Sequence, residues 1–100
     1  MARWKLRIEE RAEAEARSAF LWYARRSARA AERFQAAVEE CIDAIAEAPT
    51  SSPELEPGVR RRLVLQRFPY GVLYRVTEDE VQIVAVMHLH RRPGYWRRRR

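Results

Sequence analysis

The sequence predicts an α+β domain in the order β-α-α-β-β-β, a helical hairpin packed on a small, mostly antiparallel four-stranded sheet. Three observations carry this. Residues 3–8 alternate apolar and basic side chains, as a strand does. Residues 9–48 then switch to helical periodicity in two consecutive segments rich in Ala and Glu. Residues 59–88 return to short apolar runs split by turn-forming breaks. Each amphipathic layer needs an apolar partner, so the hairpin is expected to cover one face of the sheet.

From Arg3 to Ile8, Trp4, Leu6 and Ile8 share one face and Arg3, Lys5 and Arg7 the other, which predicts a half-buried strand. The first helix runs from Glu9 to about Arg26, with Ala12, Ala16, Phe20 and Tyr23 on one face and Ala19 and Trp22 beside them. Its early glutamates and its terminal Arg25 and Arg26 suit the helix dipole. Ser27 is the expected N-cap of a second helix. There Phe34, Val38, Cys41, Ile45 and Ala48 make the strongest periodic signal in the chain, and Pro49 ends it. The proline- and serine-rich stretch from Pro49 to Gly58 reads as a loop. Strands are expected from Val59 to Phe68, Tyr70 to Thr77 and Val81 to His88, with tight turns at Phe68–Gly71 and Thr77–Glu80. In the last strand Val81, Ile83, Ala85 and Met87 alternate with Val84 and Val86, the two-faced pattern of a central strand.

A chain of 100 residues forms one small domain, read here as residues 1–96 followed by a basic tail at 97–100. Lys5 is the sole lysine; the other 19 basic residues are arginine. Residues 1–57 carry nine basic and eleven acidic side chains, a net of −2, whereas residues 58–100 carry eleven and three, a net of +8. That asymmetry points to a polyanionic partner: nucleic acid, an acidic protein or an anionic membrane. One cysteine excludes an internal disulfide. The sequence has neither an apolar leader nor a membrane-spanning run, so a soluble cytoplasmic protein with no membrane partner is expected.

The chain has no phosphate-binding glycine loop, paired-cysteine motif or HExxH, and neither a metal nor a cofactor is expected. Cys41 sits on the apolar stripe of the second helix and reads as a packing residue. His88 and His90 are the candidates for acid–base work. Glu9, Glu10, Glu13 and Glu15 read as a solvated helix face, and Glu78, Asp79 and Glu80 as a turn. Arg60, Arg61 and Arg62 open a strand, so alternate arginines point to opposite faces. Arg67, Arg75, Arg91 and Arg92, interleaved with Tyr70, Tyr74, Tyr95 and Trp96, form a cluster suited to gripping phosphates and bases or an acidic protein segment.

Four motifs occur in order: Leu21-Trp22-Tyr23, the helix end from Ile45 to Pro49, the run from Arg61 to Val76 containing Phe68-Pro69-Tyr70, and the ending Ala85, Val86, His88, Arg91, Pro93 and Trp96. Together they resemble the RelE/ParE superfamily of type II toxin–antitoxin toxins, and the plasmid-stabilisation members in particular. The resemblance implies a toxin neutralised by a cognate antitoxin in a hetero-oligomer. It also implies one of two targets. The ParE-like branch blocks DNA gyrase; the RelE-like branch cleaves mRNA on the ribosome. The nuclease branch places an arginine directly after the aromatic residue that opens the middle strand, where this chain has Gly71 after Tyr70.

Three readings follow. In the preferred one the chain inhibits growth through gyrase by binding, with Arg61, Arg75, His88, Arg91, Arg92 and Trp96 as the target- or nucleic-acid-binding surface and Trp22 and Phe34 as the antitoxin-binding surface. In the second it is an mRNA endoribonuclease using His88, Tyr95 and Arg91. In the third it is a non-toxic nucleic-acid-binding module.

Overall fold

The structure, a computed structural model, describes residues 4–65, 68–92 and 94–97. Arg3, Arg67, Pro93 and three of the four tail arginines, Arg98–Arg100, lie outside the described residues. The elements are β1 (Lys5–Ile8), α1 (Glu10–Ala24), α2 (Ala28–Glu47), β2 (Glu54–Glu56), β3 (Val59–Leu63), β4 (Tyr70–Val76) and β5 (Glu80–His88). The helical hairpin covers one face of the sheet, its inner face: α1 packs on β5 and α2 on β3 and β4. Ser27 caps α2 as expected, its Oγ accepting from the Ala30 amide at 3.1 Å. At the end of α1, Arg26 donates to the Trp22 carbonyl at 3.0 Å, satisfying an acceptor of the last turn.

The sheet has five strands, not four, in the order β1-β5-β4-β3-β2. β1 runs parallel to β5 and the other pairings are antiparallel. The additional strand lies within the expected loop. Glu54–Glu56 folds back on β3 through Gly58, which holds a left-handed φ of +82° and donates its amide to the Glu54 carboxylate. Its composition hides it: a three-residue edge strand tolerates flanking prolines that a central strand would not. β4 begins at Tyr70 as expected, so Tyr70 and Gly71 belong to the strand and not to the turn before it, and Thr77–Glu80 closes as expected with the Thr77 amide donating to the Glu80 carbonyl. β1 is more exposed than predicted. Trp4 packs on the core, but Leu6 and Ile8 stay accessible on this edge strand. Ala48, expected on the stripe of α2, is its exposed C-cap.

One irregularity corrects the expected facing of β5. Tyr74 pairs with Ile83 and Leu73 with Ala85, so Val84 is the extra residue of a β-bulge. Strict alternation would set Ala85 and Met87 beside Val81 and Ile83. Instead Val81, Ile83 and Val86 join the inner core with Phe34, Val38, Cys41 and Ile45. Val84, Ala85 and Met87 join an outer core with Val59, Leu73 and Trp96.

The C-terminal segment closes over that outer core. Trp96 is 1% exposed, and the next residue, Arg97, forms an ion pair with Glu56 on β2 at 2.8 Å. Trp96→Ala should lower stability by about 3–5 kcal/mol in urea unfolding, as deletion of a buried large side chain does. Trp22→Ala, at a side chain 48% exposed, should change it by less than about 0.5 kcal/mol.

Candidate functional site

The bulge turns His88 toward α1. A groove of about 390 Å³ opens there between α1 and the ends of β4 and β5, lined by residues that include Glu15, Trp22, Tyr23, Tyr70, His88 and Arg91. Aromatic contacts run through it. Tyr70 meets His88 edge to face at 5.0 Å between centroids, and His88 meets His90 at 5.3 Å. The His90 amide donates to His88 Nδ1 at 3.1 Å. Deeper in, Tyr70 and Tyr23 both contact Phe34. Burial raises the phenol pKa of Tyr23, and burial, then the neighbouring Tyr23, raises that of Tyr70.

Glu15 organises one wall. One carboxylate oxygen accepts the Val86 amide at 3.0 Å, just past the bulge, and the other accepts the Tyr95 hydroxyl at 2.5 Å. Glu15 is therefore no solvated helix residue, contrary to the sequence reading. Its spacing held the clue: it lies three residues after Ala12 and four before Ala19, on the stripe that α1 buries. Arg91 lies over the Tyr95 ring at 4.0 Å. The fold thus brings His88, Arg91 and Tyr95 around one carboxylate.

The residues expected to contact a target do not form one surface. Arg61 and Arg75 lie on the outer face, aligned with Leu73, whereas His88 and Arg91 line the groove on the inner side. Arg92 is exposed beyond β5, and Trp96 is a core residue. The antitoxin pair also separates. Trp22 is open to solvent, with Arg26 stacked on it at 3.6 Å, while Phe34 is 1% exposed within the aromatic cluster. Phe34 does reach the floor of a second groove, of about 360 Å³, between α1 and α2, where Phe20 and Val38 lie beneath a rim of Glu13, Arg17 and Glu39.

Gly71 is buried on the outer face. A Cβ there would meet Cγ and Cδ of Arg61 at 3.2 Å and a Leu89 methyl at 3.5 Å. The stem of Arg61 and the side chain of Leu89 thus occupy the space above the position where the nuclease branch carries an arginine. Cys41 is buried beneath β3, its thiol 3.7 Å from the Arg62 carbonyl, and burial pushes its pKa up to about 11.

This arrangement of a two-helix hairpin on a mixed sheet is the fold of a solved ParDE toxin–antitoxin structure. The chain superposes on the chromosomal ParDE system of P. aeruginosa with a TM-score of 0.74 at 22% identity, over 90% of this chain and 100% of that one. It is 41% identical over 61 residues to the candidate toxin Y4kP of Sinorhizobium fredii, a span of 61% of this chain and 62% of that relative. The family model for the ParE toxin of the type II toxin–antitoxin system, parDE, matches residues 6–93. The chain belongs to this ParE toxin family.

Three measurements test the site and the core beneath it. Tyr95→Phe should cost about 1.5–3 kcal/mol of stability by loss of a bond to a charged acceptor, and Glu15→Ala should cost more because it also strips the Val86 amide of its acceptor. Cys41 should react with a thiol reagent at pH 8 only when the protein unfolds. Its folded pKa lies above the unfolded one, so the unfolded chain loses the proton first. Stability should therefore fall as pH rises from 9 toward about 11, and Cys41→Ala should make that fall shallower, leaving the part due to the buried phenols of Tyr23 and Tyr70.

Proposed function

We propose that this chain is the growth-inhibiting toxin of a toxin–antitoxin pair, held neutral by a cognate antitoxin, and that it acts on DNA gyrase by binding rather than by cleaving RNA. The observation that carries this reading is Gly71. It follows Tyr70 where the RelE-like enzymes place an arginine, and packing by Arg61 and Leu89 fills the space above it.

Two further features support it. The Tyr95 hydroxyl is engaged as a donor to Glu15, and His88 Nδ1 is engaged as an acceptor from the His90 amide. The Tyr95 hydroxyl, one of the groups that would move a proton in a nuclease, thus serves the fold, as does Nδ1 of His88. Membership of the ParE family supports the pairing with an antitoxin. For the antitoxin, the groove between α1 and α2, with its apolar floor and mixed-charge rim, fits an amphipathic helix, and Trp22 adds an exposed aromatic anchor beyond it.

The test is a pair of assays on purified protein. Wild-type protein should inhibit gyrase supercoiling and leave mRNA on translating ribosomes intact, and His88→Ala should retain most of the inhibition. Cleavage of mRNA that falls by orders of magnitude in His88→Ala or Tyr95→Phe would overturn the reading in favour of a ribosome-dependent nuclease.

A further inference from the structure

We infer that the toxin grips its target protein through the outer face beside Gly71, where Leu63 and Leu89 present an apolar patch crossed by Arg61, and that this patch takes an acidic segment bearing apolar side chains. The inference rests on the reading of the chain as a toxin that acts by binding.

Leu63 pairs with Gly71 across β3 and β4, and Gly71 pairs with Met87 across β4 and β5. With no side chain at position 71, the two flanking strands determine the surface of that row. Leu63 is 50% exposed and Leu89 37%, and Leu65, at the same end of the sheet, is 55% exposed. Trp96 packs on the buried apolar residues of this face but leaves these leucines accessible. The stem of Arg61 crosses above Gly71, so the one charged side chain at this row is anchored within it.

Charge decides the occupant. The carboxylates beside β3, Glu54 and Glu56 on β2, are taken up by the Gly58 amide and by Arg97, and Glu78, Asp79 and Glu80 lie in the β4–β5 turn at the opposite end of the sheet. A second copy would set Arg61 against Arg61 with no uncommitted carboxylate nearby to offset it. Nucleic acid would leave the leucines unburied, because branched aliphatic chains do not stack on bases as aromatic rings do. A protein segment with carboxylates beside apolar side chains buries the leucines and pairs the guanidinium.

The test compares wild-type protein with the double variant Leu63→Thr/Leu89→Thr and with Arg61→Met, which keeps the stem over Gly71 and removes the charge. Growth arrest on induced expression, supercoiling inhibition, melting temperature and affinity for the antitoxin are read in parallel. Both variants should keep wild-type melting and antitoxin affinity, lose growth arrest, and need at least tenfold more protein for half-inhibition of gyrase. If wild-type protein arrests growth without slowing supercoiling, the gyrase reading fails, yet loss of arrest in the variants still supports the patch. Folded variants that arrest growth as wild type does would overturn it. So would variants whose antitoxin affinity falls in step with toxicity, since the patch would then belong to the antitoxin. Absence of arrest by the wild type would sink both ideas.

Discussion

A single extra residue in β5 determines what each half of the sheet can do. Between the pairs Tyr74–Ile83 and Leu73–Ala85 the strand gains Val84, and the facing of everything after it is exchanged. Val86 and His88 are delivered to the helix side; Ala85 and Met87 are delivered to the side that Trp96 closes. β1 ends at Ile8, paired with Ile83, so β5 runs on past its parallel neighbour. There the Val86 amide needs an acceptor, because an unsatisfied buried backbone donor costs about 1–3 kcal/mol. Glu15 supplies it from α1, and its second oxygen holds Tyr95. The groove, the course of the C-terminal segment and the seat of α1 on β5 therefore share one constraint.

That constraint also explains how so short a chain covers both faces of a sheet. The helices protect only the inner one. On the outer one the Trp96 indole packs against residues of β3, β4 and β5, with Tyr95 tied to α1 on one flank and Arg97 tied to Glu56 on the other. The C-terminal segment acts as a third layer, and β4 and β5 can be apolar on both sides as central strands are. It stops short of Leu63 and Leu89, and that end of the sheet stays open.

Much of this was legible in the chain. The spacing from Phe34 to Ile45 gave α2, Ser27 its cap, and the alternation from Tyr70 to Val76 gave β4, because each is a local pattern with a local cause. The antiparallel meander followed from short connections. What escaped depends on tertiary context. A bulge leaves no mark in a strand that is apolar on both faces, so the facing of Ala85, Val86 and His88 could not be read. β2 lies in a segment whose prolines and serines describe a loop equally well. Trp96 was placed on the target surface because its neighbours in sequence are arginines; only the fold reveals that the outer core needs a large apolar cover. The charge of Glu15 suggests a solvated residue, although its helical phase, between Ala12 and Ala19, belongs to the buried stripe.

The arginines also divide by role once the fold is known. Arg60 donates to the carbonyls of Thr50 and Ser52, fastening the end of the α2–β2 connection beside the Tyr74 hydroxyl, which donates to Pro49. Arg26 satisfies the end of α1, Arg91 stacks on Tyr95, and Arg97 pairs with Glu56. A guanidinium on an apolar stem can pack along a surface and carry charge at once, and this chain uses both properties. The net charge of the C-terminal half therefore overstates the basic surface available to a partner. Arg61 combines the two properties in one side chain, its stem closing the row above Gly71 in which Leu63 and Leu89 stay exposed. Recognition by such a surface is specific in a way that a diffuse basic field is not, because it requires carboxylate and apolar side chains together.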